Sequence, residues 1–148
     1  MAIFTGMNVA ASGMTAERLR TDVIAQNIAN ANTTRTAEGG PYTRKNVVLT
    51  EKVSHNYSFG TILNQTIGGV TNGVKATAIT KDTDTDYNLV YDPSHPDADE
   101  YGYVLYPNVN IVTEMTDLID ASRSYEANAT AFEASKNIAS RGLGLMEG

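Results

Sequence analysis

The densest run of chemically capable side chains in this 148-residue sequence is residues 92–100, Asp92-Pro93-Ser94-His95-Pro96-Asp97-Ala98-Asp99-Glu100. Carboxylates beside an imidazole are donor types that bind cations. The run lacks the Asp-x-Asp-x-Asp-Gly order of an EF-hand loop. Pro93 and Pro96 also fix their own φ and restrict the residues before them, which limits how far the chain can wrap an ion. It reads as a stiff acidic turn whose Asp side chains cap backbone groups. Ser94, His95 and Asp97 have the types of a hydrolytic triad, but adjacency in sequence does not create that geometry, and no glycine-flanked nucleophile elbow accompanies them. His55 and His95 are the only histidines and cysteine is absent, which removes disulfides, thiol chemistry and Cys- or His-rich zinc sites. Gly68-Gly69-x-x-x-Gly73 lacks the Lys and Ser/Thr of a phosphate loop. The sequence predicts no catalytic residue, no metal, no cofactor and no enzymatic activity.

What remains is the framework around that loop. Hydrophobic residues are 41% and charged residues 19% of the chain, the balance of a globular domain and not of a disordered tail. No apolar run approaches the length of a transmembrane helix. Residues 1–5 lack the basic and apolar regions of a cleaved signal peptide. A net charge of −6 opposes nucleic-acid binding, which needs clustered Lys and Arg. Charge is unevenly placed: residues 82–100 hold seven acids and no base.

Glycine and proline are concentrated away from two segments, roughly 7–32 and 110–141, which are rich in strong helix formers. In the second segment Ile111, Met115, Leu118, Ser122, Tyr125, Ala129, Phe132, Lys136 and Ala139 alternate steps of four and three, the spacing of a coiled-coil seam with two polar breaks. Asn110 is the predicted N-cap. Glu114 and Asp117 fall at the positive end of the helix dipole, and Gly142 and Gly144 are the predicted stop. In the first segment Val9, Ser12, Ala16, Leu19, Val23, Gln26 and Asn30 step similarly. Ala10, Met14, Ile24, Ile28 and Ala31 widen that stripe beyond what one partner helix covers. Asn and Thr at positions 30–34 compete for backbone hydrogen bonds and end it.

The middle is rich in Thr, Val, Tyr, Asn and Gly and predicts three to five short strands. They fall within Tyr42 to Val53, Val70 to Thr80, Tyr87 to Tyr91 and Tyr101 to Tyr106, with a turn at Gly39-Gly40-Pro41. A sheet this small is stable only if it closes or packs on something else. The predicted fold is α+β: two long terminal helices forming a coiled-coil-like hairpin around a small β-rich insert. The predicted division is 1–34, N-terminal helix of an axial core; 35–107, insert; 108–148, C-terminal helix of the core.

Within residues 16–33, Asp22-Val23-Ile24-Ala25-Gln26-Asn27-Ile28-Ala29-Asn30-Ala31-Asn32-Thr33 resembles the N-terminal signature of bacterial flagellar rod and hook proteins. Three further segments resemble the proximal-rod members of that family: Gly39-Gly40-Pro41-Tyr42-Thr43-Arg44-Lys45, residues 92–99, and Tyr106-Pro107-Asn108-Val109-Asn110-Ile111-Val112-Thr113-Glu114-Met115. Ala121-Ser122-Arg123-Ser124-Tyr125-Glu126-Ala127-Asn128 extends the match down the last helix. The resemblance implies a structural subunit of the flagellar basal-body rod, polymerising helically into the hollow drive shaft in the periplasm. It implies terminal helices lining the inner tube and an insert further out. The implied partners are other rod subunits, copies of itself and the flagellar type III export apparatus, reached without a cleaved signal peptide, with no membrane insertion and no nucleic acid. The residues expected at assembly interfaces are Leu19, Val23, Ile28, Ile111, Met115, Leu118, Tyr125 and Phe132.

Two other readings compete. One is another axial protein, from the distal rod or hook, although those are usually longer and lack the 92–99 loop. The other is a metal-binding protein built on the 92–100 acidic loop. Small residues such as Ala10, Gly13, Ala16 and Ala25 bury modest area, against about 1–2 kcal/mol of backbone entropy per ordered residue. The termini are therefore expected to be loosely ordered in a free subunit.

Overall fold

A computed structural model describes residues 2–52, 63 and 72–144. In chain order it contains helix α1 (Ala2–Ala29), strands β1 (Lys45–Lys52), β2 (Gly73–Lys81), β3 (Asn88–Tyr91) and β4 (Tyr103–Tyr106), and helix α2 (Ile111–Gly144). The fold is α+β, with the long helices at the termini and two small antiparallel sheets between them.

Local chemistry explains two of the four helix ends. At the start of α2 the backbone N–H groups of Val112 and Thr113 donate to Asn110 Oδ1 at 3.0 and 3.3 Å, the expected N-cap. At the end of α1, Asn30 Nδ2 donates to Gln26 O at 2.8 Å and the Thr33 hydroxyl donates to Asn30 Oδ1 at 3.2 Å. Of the two glycines predicted to stop α2, the helix runs through Gly142 and its last described residue is Gly144. Glycine costs only about 1 kcal/mol in a helix interior, and Gly142 does not adopt the left-handed conformation that would turn the chain. Gly39 and Gly40 do, with φ of 85° and 76°, and make the turn expected of them.

The contacts divide the chain into two compact units, the first from residues 1–19, 49–77 and 122–148, the second from 20–48 and 78–121. In the first unit, small residues let backbones approach closely. A Cβ on Gly13 would stand 2.6 Å from Asn128 Oδ1, one on Gly6 would stand 3.6 Å from Ser135 Oγ, and one on Gly73 would collide with Ser12. Ser12 Oγ uses that proximity, donating to Val9 O at 2.7 Å and accepting from the Val74 N–H at 3.1 Å.

In the second unit Val23 and Ile24 of α1, Val104 of β4, and Ala121 of α2 are buried, and Ala31, Tyr42 and Val109 form one apolar cluster. Strands β3 and β4 pair antiparallel with Leu89 opposite Leu105 and Tyr91 opposite Tyr103. Because side chains alternate along a strand, Val104 points inward at 1% exposure while Leu89, Tyr91, Tyr103 and Leu105 stay outside. No helix among the described residues is long and apolar enough to cross a membrane.

Candidate functional site

The buried polar groups of the second unit converge on one residue of α1. Asn27 follows Ile24 on the inward side of the helix and is 1% exposed. Its Nδ2 donates to Lys45 O and to Glu114 Oε2, both at 2.9 Å. Its Oδ1 accepts from the Tyr42 hydroxyl at 2.9 Å and from the Lys45 N–H at 3.0 Å. Two donors and two acceptor sites are all that an amide side chain possesses, so Asn27 is saturated. This is how a buried amide avoids the desolvation cost of an unmade bond.

Glu114 is fully buried in the first turns of α2. Its second oxygen, Oε1, accepts from Arg44 Nε at 2.5 Å. The Arg44 guanidinium also reaches Asp117 at 3.4 Å and Asp82 at 3.9 Å. Asn108 completes the junction. Its Oδ1 accepts from the Arg44 N–H at 2.8 Å, and its Nδ2 donates to the carbonyls of Asp82 and Thr85 at 2.9 and 3.1 Å. Backbone and side chain from α1, the start of β1, the end of β2 and the start of α2 are thus tied by one planar cation and two amides.

Electrostatics follow the geometry. Burial pushes the Tyr42 hydroxyl above its ordinary 10.0, and the Glu114 carboxylate adds to this. Burial would raise Asp82, but bonds from the Thr85 backbone and hydroxyl and the Asp84 N–H, with the Arg44 charge, together hold its carboxyl low. The Tyr42 shift sets a pH dependence. Below pH 10 both folded and unfolded states keep the phenol proton. Above the unfolded value of 10.0 the unfolded chain loses it first, so stability falls as pH rises through that window. Tyr42→Phe should flatten this alkaline loss in urea titrations at several pH values. It should itself cost only about 1 kcal/mol, because Lys45 still donates to Asn27 Oδ1.

The acidic loop forms the turn that its prolines predict, capped by its own side chains. Asp92 Oδ1 accepts from the Ser94 N–H and hydroxyl at 3.1 and 2.6 Å, and these two bonds hold its carboxyl below the usual range. Asp99 Oδ1 accepts from the N–H groups of Tyr101 and Tyr103 at 2.9 and 2.8 Å. Gly102 supplies a φ of 83° where a Cβ would meet Tyr91 and Pro93 at 3.0 Å. The Ser94, His95 and Asp97 side chains do not form a triad: Ser94 donates to Asp92, and His95 Nδ1 accepts the Asp97 N–H at 3.1 Å. Asp97 instead accepts from the Thr34 hydroxyl at 2.9 Å and faces Arg35 at 3.6 Å. Among the described residues no group of three His, Cys, Asp or Glu is placed to hold a metal ion. His55, Gly68 and Gly69 lie outside the described residues.

The expected interface residues are distributed unevenly. Val23 is buried, and Leu19 and Ile28 are half-buried. On α2, Leu118 and Phe132 are half-buried, whereas Ile111, Met115 and Tyr125 are 44%, 54% and 40% exposed. The inward positions of α2 are Glu114 and Ala121 in one unit and Asn128 and Ser135 in the other, a seven-residue spacing that lies beside the seam. Glu114, expected to serve the helix dipole, is chiefly the buried partner of Arg44. The residues missed by sequence reasoning are Asn27, Tyr42, Arg44, Asn108 and Glu114. Each lies inside a motif that carried the family resemblance, and Asn27 stands as a polar residue within an apolar stripe.

Saturated hydrogen bonding, close helix approach and a half-covered C-terminal helix are the features of a structural scaffold. Comparison with known proteins specifies which. The family model for the flagella basal body rod protein matches residues 7–35, and that for the flagellar basal body rod FlgEFG protein C-terminal region matches residues 101–145. The flagellar basal-body rod protein FlgC of Borreliella burgdorferi is 44% identical, with both chains covered in full. Those of Bacillus subtilis and Escherichia coli O157:H7 are 47% and 36% identical, over 97% and 98% of each chain. The chain belongs to the FlgC family of flagellar basal-body rod proteins. It is a structural subunit of the proximal rod and acts in the flagellar basal body with other rod subunits.

Proposed function

We propose that the chain enters the rod through the seam of α2, with Leu118, Tyr125 and Phe132 at its centre and Leu19, Val23 and Ile28 supporting it from α1. The observation that carries this is the exposure of large apolar residues along α2. On the seam itself Ile111, Met115 and Tyr125 are 44%, 54% and 40% exposed. Singly such residues are ordinary, but aligned on one long helix of a polymerising protein they supply contact area. Residues 1–34 and 108–148 then serve as the axial core and 35–107 as the outer insert. The neighbours are other rod subunits and copies of this chain. The route to the periplasmic rod is the flagellar type III export apparatus, with the N-terminus left intact.

Two measurements test this reading. Mass spectrometry of the chain from isolated basal bodies should find the N-terminus uncleaved; a shortened N-terminus would overturn the export route. Limited proteolysis of a subunit shown to be monomeric by light scattering should trim both helices before the insert, because the first unit is joined through small side chains with little apolar area. Protease-resistant termini in that monomer would mean that assembly does not order them.

A further inference from the structure

We infer that β3 is a docking edge: an extended segment with Lys or Arg side chains, belonging to a protein other than this chain, adds to its open side as a third strand of the β3–β4 sheet. The inference rests on the rod reading above and adds to it the surface used and the chemistry of the neighbour that it takes. That surface lies wholly within the second compact unit.

Backbone geometry leaves one side of β3 open. Asn88, Leu89, Val90 and Tyr91 pair with Tyr106, Leu105, Val104 and Tyr103. The Asp92 N–H continues this ladder by donating to Gly102 O at 2.9 Å. In an antiparallel pair, residues that bond across it alternate with residues that do not. Asn88 and Val90 therefore turn their peptide groups toward β4, and Leu89 and Tyr91 turn theirs away. The outer side of β4 is covered at Tyr103, which donates its N–H to Asp99 Oδ1 at 2.8 Å and accepts the Asp99 N–H at 2.9 Å. Among the described residues no other element bonds to the backbone of Leu89 or Tyr91. All four residues of β3 are exposed, whereas β4 buries Val104. Edge strands are normally blunted by a charge, a proline or a bulge; the strand Asn-Leu-Val-Tyr has none of these.

The side chains suit a partly apolar segment. Leu89 and Tyr91, 60% and 64% exposed, continue with Leu105 and Tyr103 into one outer face. An added strand would lay alternate side chains against that face. The rings of Tyr91 and Tyr103 meet edge to face at 5.2 Å, so the surface is formed before a partner arrives, which lowers the ordering cost of association. Exposed Asp86 lies just before β3 and exposed Glu100 shortly before β4, and antiparallel pairing sets them at opposite ends of the ribbon.

Charge decides the occupant. The second unit holds twelve acids and five bases. Four of those bases are already engaged: Arg44 by Glu114, Lys81 by Glu38, Arg35 by Asp97 and Lys45 by Gln26. A second copy would bring the same surplus of acids, and its other unit offers only six bases against five acids. Copies of this chain thus do not supply the missing cations. A neighbour with a Lys- or Arg-bearing strand does, and the carboxylates at the two ends reject an acidic one.

Cross-linking tests this in assembled rods. Cells whose only copy of the chain carries the photo-reactive residue p-benzoylphenylalanine in place of Tyr91 are irradiated, and adducts from their basal bodies are sequenced by mass spectrometry. The expected adduct joins residue 91 to a different protein, through a peptide bearing Lys or Arg. An adduct between two copies of this chain, a target peptide without Lys or Arg, or no adduct in swimming cells would overturn the inference. Swimming cells with the chain in their basal bodies keep the rod assignment intact in each of these cases. A second test removes one backbone donor. Leu89→Pro deletes an N–H that β4 does not use, and edge strands accept proline. Purified Leu89→Pro should unfold at the same urea concentration as Leu89→Ala, yet swimming should be lost in Leu89→Pro and kept in Leu89→Ala. Equal swimming by the two variants would overturn strand addition. Should Leu89→Pro unfold earlier, Asp86→Lys with Glu100→Lys takes its place: swimming should be lost, and normal swimming counts against the inference.

Discussion

Arg44→Ala is expected to destabilise the chain by about 3–5 kcal/mol. The arginine is the cation bonded to a fully buried carboxylate, Glu114, at 2.5 Å. Removing it leaves the buried Glu114 carboxyl without its cation, which carries the desolvation cost of an unpaired buried group. Asp82 and Asp117, its other neighbours, are then left repelling one another. Arg44→Lys should recover only part of the loss, because an ammonium cannot reproduce the planar fork that reaches Glu114, Asp117 and Asp82 together. Urea denaturation followed by circular dichroism reads both variants. An unchanged midpoint for Arg44→Ala would show that the junction contributes nothing to stability.

The second large effect is on assembly. Phe132→Asp and Leu118→Asp should each abolish swimming. Both side chains are half-buried by the chain itself, so the free subunit tolerates part of the change. A neighbour closing over the seam would bury the new carboxylate without a partner, at a cost of several kcal/mol. Asp120→Asn, on an exposed position of the same helix, serves as the comparison and should swim normally. The readouts are motility and recovery of rod from cells, with circular dichroism confirming that the purified variants remain helical. Normal swimming with Phe132→Asp would place the assembly surface elsewhere.

The two predictions concern features that differed in how far the sequence revealed them. The long helix α2 is legible because helical periodicity is local: positions three and four apart share a face whatever surrounds them. The N-cap at Asn110, the end of α1 after Ala29 and the self-capped acidic turn are legible for the same reason, since each bond spans only a few residues. The family was also in reach, because its motifs are contiguous strings. Periodicity says that a face exists and not what covers it. That is why the inward side of α2 proved to run through Glu114, Ala121, Asn128 and Ser135, beside the predicted seam.

The sequence by itself determined the helix–insert–helix plan, most element boundaries and the membership in the rod family, because short-range sterics, capping and charge govern these. Only the tertiary structure decided the polar junction. Asn27 and Glu114 are 87 residues apart and Arg44 and Glu114 are 70 apart, distances over which neither propensity nor periodicity selects a partner. Read locally, Glu114 is an exposed acid favouring a helix dipole, and Arg44 is one base among several near a turn. Burial changes their character: once α1, β1 and α2 exclude water, an unpaired charge becomes so costly that the only tolerable arrangement is the one in which every donor and acceptor is met. Gly142 shows the converse, a strong local stop signal that α2 passes through at a cost of about 1 kcal/mol, too small to end a helix of this length.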